Sequence, residues 1–400
     1  MSQRDPNIPE RSREFEIIVF GATGFTGGLV AEYLAARDGV EVGQWAIAGR
    51  DKVKLSQVRA ELAKRHPECR ELEMIVADSS DPESLRAMSA RARVVLTTVG
   101  PYAEYGEPLV AACLETKTDY VDLTGEPAWW KEMIARYHDR ALLENVLIVP
   151  CCGFDSIPHD LGAVMTAKAL RKAGARGKLE VDGYVAAKGD FSGGTWASAL
   201  KAMGEMGPFG KKEGGSFHTG VKPTKPQGIH REDDMNGKWV TPMPTIDPMV
   251  ANRSASFDPD LGEDFRYSHY MVFRDFKMMA TLLGGVGTVA ALAQIPPARK
   301  LLGRVRKSGE GPDADARARN WFKVTFVGTG DGHRVVGRVS GGDPGYGETS
   351  KMIAESALCL ARDRAELPQA GGVSTPAAAM GDALQRRLEA AGMVFEVEAG

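Results

Sequence analysis

From Phe15 to about Pro150, short apolar runs alternate with stretches whose apolar residues recur at helical spacing. That alternation predicts a parallel sheet built from βαβ units. Strands are expected at Phe15–Phe20, Trp45–Ala48, Leu72–Ala77, Val94–Val99, Tyr120–Leu123 and Val146–Val149. Helices are expected at Thr26–Ala36, Lys52–Arg65, Pro82–Ala90, Glu107–Thr116 and Pro127–Glu144. Asp81 before Pro82 is a start signal, a capping side chain followed by proline at the first helical position. Six such units match an α/β fold of the Rossmann type, a doubly wound parallel sheet.

After Pro150 the pattern changes. A helix is expected at His159–Ala173, a strand at Leu179–Ala187 and a helix near Thr195–Met206. A stretch dense in Gly, Pro and Lys then runs to about Glu263 and suits a lid or substrate loop. Strand alternation returns at Phe265–Phe273, and Trp321–Val327 with His333–Val339 form a hairpin across GTGDG. Helices at about Thr349–Arg362 and Ala377–Ala391 close the chain. The expected division is a dinucleotide-binding domain over residues 1–160 and an α+β substrate or dimerisation domain over 161–400, with the helices of about 346–400 packing back on the first domain.

Composition narrows the classes. A chain of 400 residues with 43% hydrophobic side chains buries ample core, which excludes disorder and a disulfide mini-protein. Its 50 basic and 53 acidic side chains leave a formal charge of -3, without the basic excess that marks a nucleic-acid partner. The five cysteines, Cys69, Cys113, Cys151, Cys152 and Cys359, contain no CxxC pair and no histidines at ligand spacing. They read as reduced, cytosolic thiols with no metal site. A bond between the neighbours Cys151 and Cys152 is strained, so small buried hydrophobes explain them better than a redox pair. The polar, proline-punctuated start lacks the apolar core of a secretory signal, so the mature chain is expected to begin where the sequence does.

The most informative residues follow the first strand: Gly21-Ala22-Thr23-Gly24-Phe25-Thr26-Gly27. In this GxxGxxG variant, Gly21 permits the tight turn, Gly24 lets backbone amides approach a pyrophosphate, and Gly27 allows helix and strand to pack closely. The helix N-terminus adds partial positive charge, worth about 0.3 to 1 kcal/mol per exposed anionic contact. At the end of the second strand an NAD site places a carboxylate, but here Ala48 runs into Gly49 and Arg50. Glycine leaves room for a 2′-phosphate and arginine grips it, so NADP(H) is expected over NAD(H), with Asp51 as the cap of the next helix.

Asp78, ending the third strand, reads equally as an adenine contact or as a turn residue before Ser79 and Ser80. The fourth strand ends in Thr97-Thr98-Val99-Gly100-Pro101-Tyr102, where the nicotinamide half of the cofactor would pass. Gly100 and Pro101 shape that loop. Tyr102 is a candidate catalytic hydroxyl or a packing ring.

With GATGFTG, AGR, TTVGPYAEYGEPLV, DYVDLTGE and PCCGFDSIPHD in this order, the chain resembles the saccharopine dehydrogenase-like oxidoreductases. Within them it looks most like the branch of the trans-acting enoyl reductases. The likeness continues through FSGGTWASAL, TPMPTIDPMVANRSA and GDPGYGETSKMIAESAL. The resemblance implies that Gly21, Thr23, Gly24, Phe25, Thr26 and Gly27 line the dinucleotide, Arg50 the adenosine phosphate, and Gly100, Pro101 and Tyr102 the nicotinamide end. It places Asp155 and Ser156 where the domains meet, as candidate substrate contacts, with Asp155 also a candidate catalytic group. Read from the residues alone, Asp155 also fits a helix cap and Ser156 a backbone partner.

Met278 to Ile295 is uncharged and close to the lower length of a membrane span, with three glycines in its middle. It reads as buried core or dimer contact, as a peripheral lipid or acyl-chain contact, or as a span. Lys277 precedes it, and Arg299, Lys300, Arg304, Arg306 and Lys307 follow. The arginines between Leu161 and Lys277 do not cluster as a polyanionic amino acid requires. The sequence therefore leans towards an NADPH-dependent reductase of an unsaturated acyl or lipid-linked substrate, with a carrier protein as a candidate partner. It is expected in the cytoplasm or at the inner face of the plasma membrane. The alternatives are a saccharopine-type enzyme acting on a secondary amine, and a non-catalytic NADP-binding sensor or membrane-docked scaffold.

Overall fold

A computed structural model of the chain describes residues 13–189, 226–261, 264–302 and 312–399. The expected helix near Thr195–Met206, the FSGGTWASAL motif, and Arg304, Arg306 and Lys307 lie outside the described residues.

The first half folds in strict alternation: β1 Phe15–Phe20, α1 Phe25–Ala36, β2 Trp45–Gly49, α2 Lys52–Arg65, β3 Glu73–Val76, α3 Pro82–Ser89, β4 Ala92–Thr97, α4 Tyr102–Thr116, β5 Asp119–Val121, α5 Pro127–Leu143 and β6 Leu147–Val149. All pairings are parallel. Successive side chains of β1 enter opposite cores: Ile17 and Val19 on one face, Ile18 and Phe20 on the other. The strand order is β3-β2-β1-β4-β5-β6, extended by a seventh strand, β13 (Gly372–Val373), from near the C-terminus. The direction of winding reverses between β1 and β4, the position at which sheets of this kind hold ligands outside their carboxyl edge.

The second half begins with α6 (Ile157–Ala173), which packs on a mixed sheet in the order β14-β12-β11-β7-β10-β9-β8. Its strands are β7 Leu179–Lys188, β8 His230–Glu232, β9 Lys238–Pro242, β10 Phe265–Phe273, β11 Trp321–Gly330, β12 His333–Gly341 and β14 Val394–Ala399. The β11–β12 hairpin turns through Asp331 and Gly332, both at positive φ, as a two-residue turn requires. A Cβ on Gly162 of α6 would lie 2.3 Å from the Phe326 ring, so this glycine permits the close approach of helix and sheet. Helix Gly347–Arg362 then returns to pack on α1 and beneath β1, β4 and β5. One buried cluster consequently runs from Ile17 and Val94 through Met352 and Leu358 to Phe326 and Val339.

The structure departs from the sequence expectations in four places. α4 begins at Tyr102, five residues before the expected start, and carries Pro108 inside it. The stretch read as loop up to Glu263 contains β8, β9 and a helix at Asp247–Ser256 in its described part. β13 and β14 carry too few residues, or too many charges, to stand out as strands, and sheet pairing alone defines them. The reading of Met278–Ile295 as buried core fails: helix Phe276–Ala293 buries only Met279 and Ala293.

Candidate active site at the carboxyl edge of the parallel sheet

The turn after β1 is built from backbone. Gly21 sits at φ +95°, and a Cβ on Gly27 would lie 2.2 Å from the Gly21 carbonyl oxygen, so both positions exclude larger residues. Gly24 differs. Its φ is -81°, and a Cβ there would meet only the Gly21 oxygen, at 3.3 Å. The protein's own packing therefore crowds this position far less than it does Gly27, and a pyrophosphate lying over the turn would crowd it further. Gly24 also starts α1 with no side-chain cap and no acid in the first turn, leaving the helix amides open to an anion. Thr23 is exposed, Thr26 half-buried, and the half-buried Phe25 ring packs edge-on against Tyr346 at 4.8 Å.

At the end of β2, Asp51 caps α2, accepting from the amides of Val53 and Lys54 at 3.0 Å. Its carboxylate is thus committed to the helix. Arg50 is exposed and hydrogen-bonds to no described residue, as a guanidinium reserved for a phosphate would. Asp78 accepts from the Ser80 amide and hydroxyl at 2.9 and 2.8 Å, the arrangement of a turn. Those two bonds hold its carboxyl below the usual range, with the Arg50 charge adding to the effect. The residues present fit a dinucleotide with a 2′-phosphate.

After β4, the Gly100–Pro101 bond is cis and α4 follows at once. Glu126, from the loop after β5, caps that helix by accepting from the amides of Tyr102 and Ala103 at 2.8 and 3.0 Å. The Tyr102 side chain is buried against Trp129. Its hydroxyl donates to the Thr97 carbonyl at 3.3 Å and accepts from the Leu123 amide at 3.1 Å. Burial raises its pKa well above the ordinary value. With both bonds spent on backbone, Tyr102 braces the ends of β4 and β5, and the geometry does not present it as a proton donor.

The loop after β6 carries Cys151 to Ser156. Asp122, buried at the end of β5, accepts from the Cys151 and Thr124 amides and from the Tyr120 hydroxyl. Ser156 is buried and its hydroxyl donates to the Asp155 carbonyl at 2.7 Å, so it serves the backbone and not a substrate. Asp155 caps nothing: α6 has no side-chain cap, and the Asp155 carboxylate hydrogen-bonds to no described residue. Solvent reaches it, yet the surrounding protein raises its pKa by desolvation.

Behind Asp155 lies a polar chain that linear spacing hides. His159 on α6 bonds through Nδ1 to the Tyr267 hydroxyl at 3.0 Å. The His269 ring stands edge-on to it at 5.0 Å, and its Nε2 meets the Thr245 hydroxyl at 2.8 Å. That hydroxyl also donates to Asp247. Burial pushes His269 down to about 4 and His159 well below the usual range. Burial also pushes Asp247 well up, and the Asp155 charge adds to this. Candidate metal-ligand atoms of His159, Asp247 and His269 lie within 4.8 Å of one another. All three are already engaged with Tyr267 or Thr245, while Asp247 Oδ1 and His269 Nδ1 have no hydrogen-bond partner among the described residues. The set is suited to holding protons. The only sequence signals for it were the PHD and TIDP motifs, which carry no diagnostic spacing.

The five cysteines are free and buried, and burial raises the thiol pKa of each.

Residues 17–149 match the family described as the saccharopine dehydrogenase NADP binding domain. A Mycobacterium tuberculosis relative, named provisionally a trans-acting enoyl reductase, is 38% identical over 96% of this chain and 97% of its own. The trans-acting enoyl reductase of Mycobacterium ulcerans is 34% identical over 96% and 97%. Among solved structures, apo saccharopine dehydrogenase (L-Glu forming) of Saccharomyces cerevisiae superposes with a TM-score of 0.56 over 96% of this chain and 100% of its own, at 14% identity, a likeness of fold. Taken with the open glycine turn and the exposed Arg50, these likenesses place the chain in the saccharopine dehydrogenase-like oxidoreductase family, alongside the trans-acting enoyl reductases, as an NADP-binding oxidoreductase.

Proposed function

We propose that the protein reduces the carbon–carbon double bond of an unsaturated acyl thioester, carried on coenzyme A or a carrier protein, with NADPH preferred to NADH. The observation that carries this reading is the electrostatic setting of Asp155. Asp155 is shifted by desolvation alone, and the charges that act on Asp247 and His159 beside it come from carboxylates and an imidazole, with no lysine or arginine among them. A substrate with several carboxylates would find no cationic partner among these groups, whereas a neutral enoyl group needs none. The names of the mycobacterial relatives support the same reaction class.

Bound NADPH supplies the hydride for the β carbon. The chain supplies the rest. The Gly21–Gly27 turn and Arg50 hold the dinucleotide, and the loop Thr98–Pro101 borders its nicotinamide end. Asp155, protonated at higher pH than an ordinary carboxyl, donates to the α carbon. The Asp247–Thr245–His269 chain behind it holds the replacement proton. With Asp155 as the acid, turnover falls as pH rises through its raised pKa.

The test is NADPH oxidation with enoyl thioesters, on coenzyme A and on a carrier protein, beside saccharopine and its aldehyde precursor. Enoyl turnover that Asp155→Asn lowers at least about tenfold with NADPH affinity unchanged is the expected result. Turnover of the amino-acid pair alone would assign a saccharopine-type reaction. Tight NADPH binding with no oxidation by any substrate would assign a sensor.

A further inference from the structure

The helix Phe276–Ala293 stands out from the molecule. Nine consecutive residues, Ala280 to Thr288, are all exposed. At 3.6 residues per turn they cover every side of the helix, so no face of this stretch is packed against the described protein. Its exposed side chains are nevertheless those of a core: Phe276 at 56%, with Met278, Leu282, Leu283, Val286 and Leu292. From Phe276 to Leu302 the chain holds Lys277, Arg299 and Lys300 and no acidic residue.

Water is a poor solvent for such a surface, and three physical facts choose among the alternatives. A two-fold contact with a second copy covers one side of a helix and leaves the other wet. A true span is excluded by connectivity. β10 ends at Phe273 and β11 begins at Trp321, and both pair with β7 in the same sheet, so the chain leaves and returns on one side. A segment that enters a bilayer from one side and comes back meets both conditions. It places apolar groups on every side in lipid and leaves the cations at its ends among headgroups. The base of the helix fits that depth, where the Trp239 ring lies 5.2 Å from Phe276, an aromatic pair suited to the interface.

We propose that helix Phe276–Ala293, with the short helix Pro296–Leu302 that follows, docks this protein on one face of an anionic lipid bilayer without crossing it. An anionic cytoplasmic leaflet is a surface of this kind. The proposal is independent of the reaction class.

The experiment is flotation of the full-length protein with phosphatidylcholine vesicles, and with vesicles containing phosphatidylglycerol as well. The wild type is expected to float with the anionic vesicles, binding them roughly tenfold or more above the neutral ones. Leu283→Asp with Val286→Asp should remain at the bottom of the gradient while binding NADPH with wild-type affinity, which shows that the fold is intact. Lys277→Glu with Arg299→Glu should lose the preference for anionic lipid. A wild type that stays at the bottom with both vesicles, or an aspartate variant that floats as the wild type does, overturns the proposal. So does a wild-type dimer that the aspartates dissociate and lipid leaves intact. No readout involves turnover, so failure here is distinguishable from failure of the enoyl reductase reading.

Discussion

The amide of Cys151 donates to the buried carboxylate of Asp122 at 3.0 Å, joining the loop after β6 to the end of β5. The same carboxylate accepts from Thr124 and Tyr120, so one side chain holds together the two loops that border the site. Burial nevertheless pushes its pKa up to about 7. In the unfolded chain an aspartate titrates near about 3.9. The folded state therefore binds the extra proton, and this group's contribution to stability is full below pH ~4 and is lost as pH rises through about 7. Asp160, also raised to about 7 by burial, acts in the same direction.

The expected outcome is a melting temperature that falls between pH 5 and pH 8, with a shallower fall in Asp122→Asn. Asparagine can keep its oxygen on the two amides while the Tyr120 hydroxyl turns to accept. Asp122→Ala, by contrast, strands buried donors at about 1–3 kcal/mol each and should lower stability at every pH. Calorimetric scans across the range check both, and parallel curves for wild type and Asp122→Asn would refute the assignment.

Tyr102→Phe separates a brace from a catalyst. The ring packing remains, but the Leu123 amide loses its acceptor, a cost of about 1–3 kcal/mol in stability. Turnover per folded molecule, measured well below the melting temperature, should stay within a few-fold of wild type, whereas a catalytic hydroxyl would lose roughly 100-fold or more.

Arg50→Ala should weaken NADPH far more than NADH. Losing a charged phosphate contact costs about 1.5–3 kcal/mol, roughly a 10- to 150-fold change in dissociation constant. Calorimetric titration with both coenzymes reads the difference. Equal weakening would take the phosphate away from this residue.

Two glycines of one turn should fail differently. Gly24→Val keeps an allowed φ and sets its Cβ 3.3 Å from the Gly21 oxygen, a tight contact but far milder than at Gly27, and should give a folded protein that no longer binds NADPH. Gly27→Ala forces a Cβ to 2.2 Å from the Gly21 oxygen and should lower the melting temperature in the absence of any coenzyme. Thermal scans with and without NADPH distinguish them.

All five thiols are buried, and burial pushes Cys113 and Cys359 up to about 12. The native protein should show no fast-reacting thiol towards a disulfide reagent, and all five should react once it is unfolded. A native thiol that reacts within seconds would reopen the redox reading of Cys151 and Cys152.

The sequence by itself determined what depends on near neighbours along the chain. The alternation of strand and helix, the glycine turn after β1, and the Asp51 cap each need only a few consecutive residues, whose backbone preferences and hydrogen bonds are local. Tertiary structure decided what depends on residues far apart. Glu126 started α4 at Tyr102, the Thr97 and Leu123 backbone took the Tyr102 hydroxyl, and folding brought His159, Asp247 and His269 behind Asp155. It also decided that Phe276–Ala293 stands exposed. An apolar pattern records only that a segment avoids water. Whether its neighbours are side chains or lipid depends on where the rest of the chain has gone, and that is a property of the folded molecule.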